Sequence, residues 1–159
     1  MTEKTRNVFI SGLSKYLGIK IIRSNQNAPP PSYPYGSFTI TMPKRENKGT
    51  YGIYDDGFAR KPYLQTISLS FLSDDYNEAV ELAEKAYLWA DYTGTTYLND
   101  NGVIVQLVTS VNDRSNFLTV EYEQRLGFDV ILYYLSETNT LIDQTGTIET
   151  AEIQHIEEK

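Results

Sequence analysis

An α+β domain is what the sequence predicts: an antiparallel sheet of four to five strands with two helices packed on it. Three observations lead there. Two stretches repeat apolar residues at three- and four-residue spacing, as amphipathic helices do. Other stretches alternate apolar and polar residues, as half-buried strands do. The strand patterns follow one another across loops, which favours antiparallel pairing, so the helices must cover one face of the sheet. At 159 residues the chain fits a single domain with a core of its own.

The first helix covers residues 2–17, with Phe9, Ile10, Leu13, Tyr16 and Leu17 on one face. Gly12 weakens it by about 1 kcal/mol of helix propensity, and Gly18 stops it. A short strand over 19–24 follows. The stretch NQNAPPPSYPYG is a loop, because three successive prolines fix φ and remove ladder donors. The same polyproline-type segment, with Tyr33 and Tyr35, also has the make-up of a ligand for an aromatic groove.

From 35 to 42 the alternation puts Phe38, Ile40 and Met42 on one face of a strand. Residues 43–61 hold three glycines and eight charges and read as a long hairpin loop. The next strand, 63–72, faces Ile67, Leu69 and Phe71 inward. Ser73, Asp74 or Asp75 caps the second helix, with Asp75 and Glu78 at capping-box spacing. That helix runs to about residue 91 on an apolar face from Ala79 to Ala90, and Glu81–Lys85 is a favourable pair on its wet side.

Residues 103–111 form another strand, with Val103, Val105, Leu107 and Val111 inside. The loop 112–117 leads to a long strand over 119–135. Tyr122, Leu126, Phe128, Val130, Leu132 and Tyr134 face the core; Glu121, Glu123, Arg125, Gly127 and Asp129 face the other way. The pattern then fades, so the domain is expected to end at 136. Residues 137–159 form an acidic, polar tail with at most one weak element over 148–156.

Composition narrows function mainly by exclusion. The absence of Cys rules out disulfides, thiolate metal sites and thiol catalysis, and His155 is the single histidine. Apolar runs are too short to span a membrane, and no basic-then-apolar signal opens the chain. A soluble, intracellular-type domain is expected. Net charge is −7, unevenly placed: residues 1–61 carry ten basic and four acidic groups, residues 62–159 four basic and seventeen acidic. Opposite charges on two surfaces of one subunit suit a head-to-tail contact between copies, although halves that interleave in the fold would solvate it just as well. An acidic total argues against dedicated nucleic-acid binding.

No catalytic constellation emerges. Asn99-Asp100-Asn101-Gly102 lacks the spacing of a calcium loop and reads as a turn with Gly at positive φ. Asp55-Asp56 lies in the long loop, and Asp74-Asp75 sits where acids complement a helix dipole. There is no phosphate-binding glycine loop and no nucleophile elbow. Neither a cofactor nor a metal is expected. The charged face Glu121, Glu123, Arg125 and Asp129 reads as an exposed strand face, a subunit contact or a lumen wall. Thirteen tyrosines suit surfaces that are partly buried and partly wet.

Three segments together resemble a known family: YLGIKIIRSNQNAPPPSYPY, LSFLSDDYNEAVELAEKA and NGVIVQLVTSVNDRSNFLTVEYEQRLGFDVIL, spread in order over about residues 8–135. They are similar to the tail or neck terminator proteins of tailed bacteriophages and prophages. The most distinctive part is Asp113-Arg114-Ser115 followed by EYEQRLGFDV. The resemblance implies a tail-tube-like fold and a structural, non-enzymatic virion protein of the tail or neck, assembled in the host bacterial cytoplasm. It implies a homo-oligomeric ring, typically a hexamer, that caps the tail tube, halts its polymerisation and docks the head connector. DNA passes through the lumen without specific binding. Asp113, Arg114, Glu121, Glu123, Arg125 and Asp129 are then candidates for a subunit contact or the lumen. Lys44, Arg45, Lys48, Tyr51, Tyr54, Arg60 and Lys61 form a candidate assembly loop. The alternatives are another neck component, such as a stopper or adaptor ring, or a small regulatory or ligand-binding module.

Overall fold

The first apolar stripe folds as α1 (Thr2–Leu17) in the computed structural model of the protein, which describes residues 2–47, 52–53, 58–117 and 122–141. Phe9 and Leu13 are fully buried, and Gly18, at φ +69°, closes the helix with its N–H on the Ser14 carbonyl. Gly12 has a packing reason to lie inside a helix: the rings of Tyr97 and Trp89 occupy the space a side chain would need. Tyr16 is half exposed at the margin of the stripe, stacked on Trp89 at 6.2 Å between ring centroids.

The spine of the sheet is β1 (Ile21–Arg23), β2 (Tyr35–Glu46), β4 (Phe58–Ser73), β8 (Tyr122–Leu141) and β5 (Ile104–Val108), in that order. Short pieces join it: β3 (Gly52–Ile53) on β4, and β6 (Asn112–Asp113) and β7 (Asn116–Phe117) on β8. The expected all-antiparallel sheet is corrected at one edge, where β1 runs parallel to β2 with Ile21 opposite Gly36. Parallel neighbours need a long connection, and the proline-rich segment 24–34 supplies it.

The expected loop over 43–61 is also corrected. β2 continues to Glu46 and β4 begins at Phe58, with Arg45 opposite Leu64 and Glu46 opposite Tyr63. Register shifts on either side of Met42 break the apolar alternation there, and a bulge of this kind hides a strand from a period-two pattern. β8 likewise runs past 136 to Leu141, opposite Phe58. Its polar last residues are held by the backbone ladder, which leaves no mark in side-chain periodicity. In β5 a register shift between Val105 and Leu107 reverses the faces. Val103 is buried, while Leu107, expected inside, is 51% exposed.

Helix α2 (Tyr76–Leu88) begins where Asp75 accepts the Asn77 N–H at 2.8 Å. Of the capping box expected between Asp75 and Glu78, the Asp75 carboxylate accepts the Glu78 N–H at 3.5 Å, and the return arm from Glu78 runs through Ser73. Its hydroxyl accepts the Asp75 N–H and donates to the Glu78 carboxylate. Ala79, Ala83 and Ala86 form the buried face, small enough for the helix to lie close on the sheet, with Tyr87 edge-on to Phe128 at 5.8 Å.

The helix then widens into a π-helical turn, Trp89–Thr93, closed by the Gly94 N–H on the Trp89 carbonyl at 2.8 Å. The turn seats the indole against Gly94 and Gly12, where neither position has room for a side chain. A further helix, α3 (Thr95–Asp100), adds to the two expected; six residues are too few to show a stripe. Gly102, at φ +75°, ends it in the turn expected at 99–102. The helices cover one sheet face, burying Ile67, Leu69, Phe71, Phe128, Val130 and Leu132. Truncating a buried Phe such as Phe128 would cost about 3–5 kcal/mol.

Candidate functional site

Cross-strand pairing sets Ser68 opposite Asp129, Ser70 opposite Gly127 and Leu72 opposite Arg125. Side chains alternate along a strand, so these residues share the sheet face turned away from the helices. Two polar clusters occupy that face.

The first is built by the turn between β6 and β7. The Asp113 carboxylate accepts the Ser115 N–H at 2.8 Å, an Asx turn that folds the chain back on itself. Bonds from the Ser115 hydroxyl and backbone N–H hold the Asp113 carboxyl below its ordinary pKa. The Arg114 N–H meets the Arg125 carbonyl at 2.7 Å, and the Ser115 hydroxyl accepts the Arg125 N–H at 3.0 Å. Arg114 then reaches across the sheet. One guanidinium nitrogen donates to the Ser68 hydroxyl at 2.8 Å and the Leu69 carbonyl at 3.1 Å; the other meets Asp129 at 3.0 Å. Ser68 also donates to Asp129 at 2.6 Å. Gly127 lies on the same face, where a methyl group would overlap the Leu69 carbonyl.

The second cluster lies towards β1 and β2. Glu123 and Arg125 approach to 3.9 Å, and the Glu123 side chain is only 12% exposed. Burial raises the Tyr35 hydroxyl pKa, and neighbouring Glu123, to which it is hydrogen-bonded, raises it further. Tyr35 stacks on Tyr33 at 5.7 Å. Beside it is a cavity of about 270 Å³, lined by Arg23, Tyr35, Leu72 and Arg125 and, from the proline segment, by Ala28 and Pro30. The Arg125 Nε is buried there without a hydrogen-bond partner.

The candidate assembly residues divide. Lys44 places its ammonium 3.9 Å from the centroid of the Tyr63 ring, a cation–π contact. Lys61 bonds Glu46 at 2.8 Å and holds its carboxyl below the usual range. Arg45 is exposed on β2 and Arg60 half-buried on β4. Lys48, Tyr51, Tyr54 and Glu121 lie outside the described residues, as do Asp55, Asp56 and His155.

The structure therefore joins Arg114 to Asp129 and Glu123 to Arg125 within one subunit. Sequence reasoning missed Ser68, Ser115 and Tyr35 as their partners. The Asp-x-Ser spacing of Asp113 and Ser115 is a local signal that could have found Ser115; nothing local marks Ser68, whose bonds cross between strands. Among the described residues no group of three His, Cys, Asp or Glu is placed to hold a metal ion. Asn101 donates to the Tyr97 carbonyl at 2.8 Å and serves the end of α3. No helix among the described residues is long and apolar enough to cross a membrane.

This is a shape-keeping surface. Arg114 and Asp129 are bonded between two segments, Glu123 and Arg125 approach each other along β8, and the polar groups brace a turn and a sheet, as in a structural protein. The chain belongs to the phage neck terminator protein family, whose family model matches residues 7–159. That match extends beyond the 8–135 span of the sequence resemblance and takes in the C-terminal segment. No curated protein matches the chain. Membership makes this a structural protein of the phage virion, located in the tail or neck.

Proposed function

We propose that copies of this protein close into a ring at the head-proximal end of a phage tail tube. The ring, a hexamer, ends tube polymerisation and gives the head connector its docking surface, while DNA passes through the lumen unbound. Assembly takes place in the host cytoplasm. The observation that carries this reading is the family match over residues 7–159. The geometry fits it because the sheet ends in two unlike edges. One is β1, three residues long; the other is β5, with Ile104 and Leu107 about half exposed. An edge strand offers unpaired backbone groups, and two different edges suit a head-to-tail contact that repeats until it closes.

The face bearing Glu123, Arg125 and Asp129 then belongs to the lumen or to the neighbour contact, with the turn at Asp113 and Arg114 beside it, and Glu121 shares that role. Its internal ion pairs make it a nearly neutral polar wall, which neither grips nor strongly repels a polyanion. Lys44, Arg45, Arg60 and Lys61 act from β2 and β4 in assembly, together with Lys48, Tyr51 and Tyr54 of the intervening sequence. Light scattering and negative-stain microscopy of the protein with purified tail tubes test the ring. Capped tube ends that no longer grow are expected. Protein that binds connectors and leaves tube growth unchanged would move the assignment to a stopper or adaptor ring.

A further inference from the structure

A groove of about 570 Å³ lies between α1 and β1, at the edge of the sheet that β1 forms. Ile10, Ile21 and Phe38 give it apolar walls, and Arg6 and Arg23 bring positive charge; among the described residues none that lines it carries a carboxylate. Arg6 keeps a partner of its own, Glu3 at 3.2 Å. The available charge is that of Arg23, which is exposed and has no ion pair among the described residues. Lys20, one residue ahead of β1, is exposed as well. Arg23 stands opposite Phe38, which belongs to the core under the helices, so the groove opens on the helical side of the sheet.

The opposite edge carries a complement on that same side. The π-helical turn Trp89–Thr93 packs against β5, the other edge strand. Glu84, Leu88 and Tyr92 follow one another at four-residue spacing and are all exposed, Leu88 by 50% and Tyr92 by 72%. They stand as one ridge along the end of α2 and the turn. Asp91, next to Tyr92 in the chain, is exposed too. Two large apolar side chains in water, flanked by acids, match a groove with apolar walls and a free guanidinium.

We propose that the ridge of Glu84, Leu88 and Tyr92 on one copy seats in the α1–β1 groove of the next copy. Leu88 and Tyr92 then cover Ile10, Ile21 and Phe38, and the carboxylates of Glu84 and Asp91 meet Arg23 and Lys20. This inference rests on the ring reading and names the two surfaces that make its repeating contact. Groove and ridge lie at opposite edges of one sheet, so a subunit does not satisfy its own pair. Each copy added leaves one groove and one ridge open until the ring closes. Opposite charges steer and register such a contact.

Charge reversal tests the pairing. Arg23→Glu reverses the groove, and Glu84→Lys with Asp91→Lys reverses the ridge; all three positions are exposed, and far-UV circular dichroism checks that each variant folds. Sedimentation velocity of the full-length protein over a range of concentration, alone and with purified tail tubes, reads self-association. Each reversal by itself should weaken association about tenfold at low salt, and the chain carrying both should return to within about threefold of the parent. Association unchanged by either reversal, or no recovery when the two are combined, would overturn this contact and leave the ring standing. A parent that stays monomeric both with and without tubes would overturn ring and contact together.

Discussion

Gly127 faces the carbonyl oxygen of Leu69 with no space between them for a methyl group. The two strands that carry them, β4 and β8, pair over nearly their whole length, and Arg114 bonds that same carbonyl. The obstacle is backbone rather than a movable side chain, so relief requires the strands to part. Gly127→Ala is expected to destabilise the protein by about 3 kcal/mol, lowering Tm by about 6–12 °C. A melting curve within 2 °C of the parent, on the order of 1 kcal/mol or less, would contradict this close approach.

The Arg114–Asp129 pair, 3.0 Å apart with side chains 26% and 38% exposed, is open enough for water and salt to weaken it. A double-mutant cycle with Arg114→Ala and Asp129→Ala is expected to give a coupling of about 0.5–1 kcal/mol, discounted for screening. The coupling should shrink in 1 M salt. Arg114→Ala alone should cost more than the coupling, because the bonds to Ser68 and Leu69 go with it. Zero coupling at low salt would mean that the turn is held by its backbone bonds alone.

Asp113 sets a pH dependence. Its carboxyl is held below the ordinary value of 3.8 by Ser115, so the folded state binds its proton less readily than the unfolded chain does. The resulting stabilisation is complete above the unfolded pKa, and is lost as pH falls through the lower, folded pKa. Asp113→Asn should therefore flatten part of the acid limb of stability against pH, with Ser115→Ala acting in the same direction. Urea titrations between pH 2 and 6 measure this, and parallel curves for parent and variant would count against the Asx turn.

Much of this was legible in the sequence, for reasons visible in particular residues. The stripe Phe9–Leu13 and the stop at Gly18 gave α1, and the Asp75 cap gave the start of α2. The alternation from Leu126 to Tyr134 gave the faces of β8. What escaped notice lies where side-chain pattern and backbone structure part company. The bulges beside Met42 and Leu107 shift the period, and the polar end of β8 is held by its ladder to β4. In the π-helical turn Trp89 packs on Gly94 and on Gly12, and Gly12 is far from it in sequence. The charged residues of the candidate face were identifiable, but their partners were not. Arg114 meets Ser68 and Asp129 only once three segments have folded together, and no short-range spacing encodes that meeting.

The central claim is that this protein acts by capping a tube, and tail length measures that directly. Electron microscopy of particles assembled without the protein should show tubes of widely scattered, often excessive length, none joined to a capsid. Supplying the protein in trans should restore one length and the junction. Tails of uniform length, already attached to capsids in its absence, would contradict the account.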